Sequence, residues 1–297
     1  MTSIAAERHG LWFALLVTLT VALDWRYPGF WEGWGLALLL IMVVVTGVPH
    51  GAMDLYLGLH TLKLRQSSRM LGFLLGYGGL ALALILAWWW WSGAMLGLFL
   101  ALSVVHFGDS DSLGGEGPLG WPEHLARGLC PVVLPLGLHP EASAALLAVL
   151  APPAVASALV SLAGSLWIPT LLVCLVAVLA RLWSDERAAL WLSLELGALS
   201  ILFGVLPPLA AFALYFGLLH STRHLLKVNG ISRSGRPLRQ TLLITGVTLL
   251  AGCLGYLLLR EQDPGAALLR VVFIGLAALT VPHMLLIHLA RRRRVLV

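Results

Sequence analysis

Six of the ten histidines in this 297-residue chain lie inside apolar stretches, where a polar side chain is costly and usually faces the bundle interior or a cavity. They are His50 in VPHGAMD, His106 in VVHFGDSD, His220 and His224 in HSTRHLLK, and His283 and His288 in VPHMLLIH. His220 and His224 stand four apart, which puts them on one helical face with Cβ atoms about 6 Å apart. Both imidazoles can then reach one metal ion at bonds of roughly 2.0–2.1 Å. His50 and His106, from two other segments, complete a four-histidine shell. His283 and His288 are five apart and point to different faces. His288, close to Arg291, is expected at the membrane interface; His283, after Pro282, is expected behind the ligands or as an alternate ligand. His9, His60, His124 and His139 fall at the ends of apolar runs or in loops and are expected to be solvated.

Carboxylates follow two of these histidines. Asp54 lies one turn after His50, and Asp109 lies three residues after His106. Ligating histidines commonly donate their second ring N–H to a carboxylate, which sets the tautomer. Asp111 fits either that role or the start of a solvated loop. Arg223, between the paired histidines, is placed to snorkel to the interface or to pair with one of these aspartates. An all-imidazole shell suits Zn, Cu, Fe or Ni. The acidic general base of an HExxH zinc hydrolase is absent. A non-haem Fe(II) with open positions would suit oxygen chemistry on a lipid-soluble substrate.

The elements that must position these residues are membrane helices. The mean hydropathy is +0.91 and only 11% of residues are charged, too few to cover a soluble surface. The three cysteines sit singly in apolar runs and offer neither a metal site nor a disulfide framework. The first apolar run has no small-residue cleavage site after it and is expected to be a retained span. Spans of about 20 apolar residues are expected near 9–24, 33–57, 70–91, 93–108, 143–163, 165–184, 187–206, 207–227, 238–259 and 266–290. The expected fold is therefore an all-α polytopic bundle of about ten spans (roughly 8–10), one transmembrane catalytic domain over residues 1–297. The proline-rich segment 121–138, which holds Arg127, is expected to be re-entrant or interfacial. Trp88 to Trp91, with Trp25, Tyr27, Trp31 and Trp34, read as interfacial belts. The glycine-rich stretch 114–120 is a loop that matches no motif.

Net charge is +5, and the basic residues cluster. Lys63, Arg65 and Arg69 form one group, Lys227, Arg233, Arg236 and Arg239 a second, and Arg291 to Arg294 a third. Positive-inside bias explains them better than a nucleic-acid partner does, and there is no nucleic-acid-binding pattern. With all three groups cytoplasmic, both termini are cytoplasmic, and the six apolar-stretch histidines fall in the cytoplasmic half of the membrane.

PHGAMD (Pro49–Asp54), HFGDSD (His106–Asp111), HSTRH (His220–His224) and PHMLLIH (Pro282–His288) together resemble the signature of the Brp/Blh family, integral-membrane β-carotene 15,15′-dioxygenases of bacteria and archaea. The four motifs run in matching order over nearly the whole chain. The resemblance implies an Fe(II) enzyme of the cell inner membrane that cleaves the central double bond of β-carotene with O₂. It implies two retinal molecules as product, destined for a microbial rhodopsin. It also implies iron ligands at His50, His106, His220 and His224. Phe107, Phe212, Tyr215 and Phe216, near those ligands, are candidate walls of a polyene tunnel, although ordinary lipid-facing or core packing is the simpler account of each. Two other readings stand beside this one. One is another membrane non-haem iron lipid oxidase or hydroxylase, against which stands the absence of any HxxHH box. The other is a histidine-lined metal or proton transporter, against which stands the absence of a clear internal repeat.

Overall fold

The computed structural model describes residues 3–63, 66–112, 120–229, 236–260 and 263–293. Arg65, Arg233 and Arg294, and residues 114–119 of the glycine-rich stretch, lie outside these. In hydrocarbon a backbone N–H or C=O has no water to bond, so each apolar segment must pair its own groups as a helix. Among the described residues the chain accordingly forms helices and no strand. In order they are α1 (Ser3–Arg26), α2 (Phe30–Met42), α3 (Val48–Thr61), α4 (Ser67–Asp111), α5 (Trp121–Leu138), α6 (Pro140–Ala148), α7 (Pro153–Leu182), α8 (Glu186–Val205), α9 (Pro208–Leu214), α10 (Thr222–Asn229), α11 (Arg236–Leu259) and α12 (Pro264–Arg292). A π-helical turn, Val43–Gly47, joins α2 to α3, and a second, Tyr215–Ser221, joins α9 to α10.

The all-α polytopic bundle expected from composition is what the chain adopts; the count of about ten spans is looser. Six helical stretches among the described residues are long and apolar enough to cross a membrane, or seven if the bent pair α5–α6 is one span. The expected spans 70–91 and 93–108 run together as α4, which kinks at Trp91, where φ is −135° and ψ is 49°. The expected division at Gly164 does not occur. α6 stops at Ala148, and α7 runs from Pro153 through Gly164 and Pro169 to Leu182. Pro153 sits in the first turn, where its missing N–H has no helical partner to lose. A single mid-helix glycine costs only about 1 kcal/mol, so the Pro152-Pro153 pair sets the boundary. Within the Trp88–Trp91 block, Trp89, Trp90 and Trp91 are exposed as an interfacial belt requires. Trp88 instead turns inward and donates from Nε1 to the Leu150 carbonyl at 3.0 Å.

The segment expected to be re-entrant or interfacial is α5, and it occupies the core. Its buried residues include Glu123, Arg127, Cys130, Pro131 and Leu134, and it packs on α4, α7 and α8. After Leu138 the chain bends by 104° into α6. Without a strong hydrophobic drive between helices in lipid, close approach rests on small residues. Gly128 of α5 lies against the Val104 carbonyl of α4, and Gly108 of α4 lies against the His124 carbonyl of α5; a Cβ at either would overlap that oxygen. These two contacts set the height of α4 against α5, and so the position of His106.

Gly128→Ala should therefore destabilise the protein by about 1–3 kcal/mol, the usual cost of overpacking. A lowered thermal midpoint in detergent would show this; an unchanged midpoint would mean that α4 and α5 can separate freely.

Candidate metal centre

Two π-helical turns face one another at the middle of the site. Each inserts an extra residue into its turn, which rotates the downstream helix by about 100° relative to an unbroken α-helix. Val43–Gly47 immediately precedes the α3 segment that carries His50, and Tyr215–Ser221 contains His220. They pack through glycines: a Cβ on Gly47 would come 2.6 Å from Cε1 of Phe216, and one on Gly217 would come 2.5 Å from Sδ of Met42. The Thr222 hydroxyl donates to the Gly217 carbonyl at 2.7 Å, supplying a bond within the widened turn. The two turns and the α-helices after them bring His50, His220 and His224 together. The C-terminal turn of α4 adds His106, and α12 adds His283 one residue after Pro282.

All five histidines are buried, with exposures between 1% and 8%. Ring nitrogens of His50, His106 and His220 lie within 4.8 Å of one another, and so do those of His50, His224 and His283. Nε2 of His106 is 3.2 Å from Nε2 of His220, and Nε2 of His50 is 3.3 Å from Nε2 of His283. The His50 ring stacks on those of His224 and His220 at 4.1 and 5.0 Å between centroids.

Carboxylates brace the cluster from two sides. On one side Asp111 Oδ1 accepts from Nδ1 of His220 at 3.1 Å, and Asp111 Oδ2 accepts from the Tyr215 hydroxyl at 2.7 Å. On the other, Asp54 accepts from Nδ1 of His283 at 2.8 Å and from the Tyr77 hydroxyl at 2.6 Å. Asp54 thus bonds a cluster histidine, but that histidine is His283 on α12 and not His50 on its own helix. Asp109 does not take the bracing role. Its side chain is 48% exposed, 3.5 Å from Arg291 and 3.9 Å from His124. Asp111 takes that role, for a histidine on another chain segment. Helical spacing orders neighbours along one helix, whereas both braces cross between helices.

Behind Asp111 lies an ionic network that spacing along the chain does not reveal. Arg223 donates from Nη1 to the Asp111 carbonyl at 3.0 Å and from Nη2 to Glu195 at 2.6 Å. Glu195 also accepts from Arg127 at 2.6 Å, and Arg127 donates to Glu123 at 3.0 Å. Arg181 closes the chain on Glu123 at 2.6 Å. Arg223 therefore pairs inward and does not snorkel. A signal for Glu195 is nonetheless present: an acid in the middle of LWLSLELGALS needs a buried cation. Of the outlying histidines, His288 is exposed. His9 and His139, expected to be solvated, instead bond the carbonyls of Leu218 and Phe203 at 2.9 and 3.0 Å.

Aromatic rings border the cluster on its apolar side. Phe107 lies 4.9 Å from the His220 ring and 5.7 Å from that of His106, and Phe216 stacks on His220 at 5.8 Å. Phe107 also lines an apolar cavity with Leu96, Phe99, Phe212 and Phe273. Of the four candidate tunnel residues, Phe107 and Phe212 face this cavity. Tyr215 is wholly buried and committed to Asp111, and Phe216 stacks on Phe212 at 5.5 Å.

These residues suit a metal ion. His220 and His283 each direct Nδ1 at a carboxylate, so each neutral ring carries its proton there and turns an Nε2 lone pair toward the other histidines. Nε2 of His224 and Nδ1 of His50 are buried without a hydrogen-bond partner. Lone pairs converging in a dry site with orphaned ring nitrogens are what a cation satisfies.

Fold and site define a polytopic helical membrane protein with a buried, carboxylate-braced histidine cluster that could hold a metal ion. The family model described as beta-carotene 15,15′-dioxygenase matches residues 41–290, a stretch that contains all five clustered histidines. The chain belongs to that family. The β-carotene 15,15′-dioxygenase of uncultured marine bacterium 66A03 is 31% identical over 259 residues, covering 84% of this chain and 91% of the relative. No solved structure matches the chain.

Removing one member of the ionic network strands buried charge. Glu195→Ala leaves Arg127 and Arg223 without this carboxylate and should cost about 3–5 kcal/mol, read as a large fall in thermal midpoint in detergent. A variant as stable as wild type would show that the network contributes no stability.

Proposed function

We propose that this chain is a membrane β-carotene 15,15′-dioxygenase, a single catalytic domain that cleaves the central double bond of β-carotene. The observation that carries this reading is the family match together with a buried histidine cluster that Phe107 links to an adjacent apolar, phenylalanine-lined cavity. One β-carotene and one O₂ balance two retinal molecules: the 15,15′ bond breaks and each carbon receives one oxygen atom.

His50, His106, His220 and His224 are the proposed ligands of an Fe(II) ion. Neutral imidazoles without thiolate suit that ion, and bound there it supplies the redox chemistry that directs O₂ at the double bond. The rest falls to the chain. Asp111, held by Tyr215 and by Arg223, keeps His220 in the tautomer that presents Nε2. Phe107 sits between the imidazoles and the cavity, so a polyene entering past Phe212 is guided along aromatic faces toward the histidines. Packing excludes water from this centre and holds the reacting bond in register. A carotene dissolved in the bilayer reaches such a site laterally, and retinal leaves by the same medium toward a microbial rhodopsin. We place the protein in the inner membrane with both termini and the histidine cluster toward the cytoplasm, from the three basic groups.

Expressed in bacteria that accumulate β-carotene, the chain should bleach the cells and yield retinal, and His220→Ala should do neither. β-Carotene left intact by a protein that holds its metal would overturn the substrate. Phe212→Trp, which fills the cavity, should lower turnover about tenfold or more with metal content unchanged. Reporter fusions at the C-terminus should be active in the cytoplasm; activity on the other side would reverse the orientation.

A further inference from the structure

The hydrogen bonds of His283 differ from those of a histidine that supports a ligand. A histidine that supports a ligand donates its N–H to that ligand or to the group holding it. In its neutral form His283 has one N–H, and both oxygens of Asp54 take it, at 2.8 and 2.9 Å from Nδ1. What His283 turns toward the cluster is therefore the Nε2 lone pair, 3.3 Å from Nε2 of His50. His220 is built the same way, with Asp111 on Nδ1 and Nε2 facing His106 at 3.2 Å. The two braced histidines thus share one design, carboxylate behind and lone pair in front, which is the arrangement of a metal-bound histidine.

The surroundings of His283 agree. Its side chain is 5% exposed, and its ring lies 4.9 Å from His50, 5.1 Å from His106 and 5.2 Å from His224 between centroids. It shares with His50 and His224 a space in which three donor atoms lie within 4.8 Å of one another. Asp54 is held in turn by Tyr77 from α4 at 2.6 Å, a brace that matches Tyr215 on Asp111. A tyrosine–aspartate–histidine chain occurs on each side of the cluster and ends at an inward-facing Nε2 both times.

We propose that His283 is a fifth metal ligand, oriented by the Asp54–Tyr77 pair, so that the centre is His50, His106, His220, His224 and His283. This rests on the four-histidine centre proposed for the dioxygenase and enlarges it. A five-histidine shell leaves fewer positions for exogenous ligands than a four-histidine one, so small molecules that bind the metal should compete for a single position.

The test is titration of the metal-free, detergent-solubilised full chain with Co(II), read by its visible ligand-field bands and by the dissociation constant against a chelator. His283→Gly should change the bands and weaken binding by at least about 100-fold, and added imidazole should restore both. His283→Gln, which keeps the helix filled, should show the same altered bands. Asp54→Asn should keep the wild-type bands while weakening binding by about 10–100-fold, as loss of a group behind a ligand does. His283 variants with wild-type bands, weakened no more than Asp54→Asn and indifferent to imidazole, would overturn the fifth ligand while leaving the other four. Wild-type protein that takes up no Co(II), or takes it up no better than His220→Ala does, would overturn the metal centre itself and this assignment with it.

Discussion

In a bundle surrounded by hydrocarbon, every polar group must be answered by protein, because no water reaches it. That constraint organises this molecule. The backbone answers it by forming helices. The side chains answer it by crossing between helices: Asp54 of α3 to His283 of α12, Asp111 of α4 to His220, and Arg223 of α10 to Glu195 of α8. Each polar residue is costly alone and tolerable in company, so each fixes the height and rotation of the helix that supplies its partner. The polar groups act as the register marks of a bundle whose apolar surfaces would otherwise slide.

The histidine cluster lies on a boundary between two environments. On one side the Glu123–Arg127–Glu195–Arg223 network is paired and presents Asp111 to His220. On the other, Phe107 and Phe216 close the cluster with aromatic faces, and beyond Phe107 lies an apolar cavity. A metal ion held here and acting on a hydrocarbon, as proposed for this chain, would need both. Ligand orientation requires charge and hydrogen bonds behind the imidazoles, while substrate access requires their absence in front. Burying the charges pairwise keeps them out of the cavity, which lets one small volume meet both demands.

The two π-helical turns are the local means to this end. An unbroken α-helix would carry His50 and His220 past one another at a different rotation; the inserted residues reset the faces downstream of them. Gly47 and Gly217 allow the two widened turns to touch, since a side chain at either would strike Phe216 or Met42. Helix distortion and close approach are therefore one feature. The glycines have no chemistry of their own, yet they decide where three of the five imidazoles sit.

Much of this is legible in the chain. Hydropathy alone dictates membrane helices, because spans of that length and apolarity have no other stable form in lipid. Histidines in four apolar segments mark a shared site, because isolated polar groups there would be too costly, and four motifs in order carry the resemblance to a dioxygenase family that the family match bears out. The divisions between spans are less legible: α4 continues through Trp91 with a kink, and α7 runs straight through Gly164, since neither residue breaks a helix by itself. The partners of the histidines are the least legible. Spacing points to Asp109 and to a pairing of Asp54 with His50, but it orders only residues on one helix. Which carboxylate meets which imidazole depends on how helices far apart in the chain are rotated and packed. Apolar length and the polar residues within it, both readable along the chain, require that polar groups meet inside this bundle. Which of them meet is settled by the packed structure, because contacts between helices depend on relative height and rotation and not on the period of any one helix.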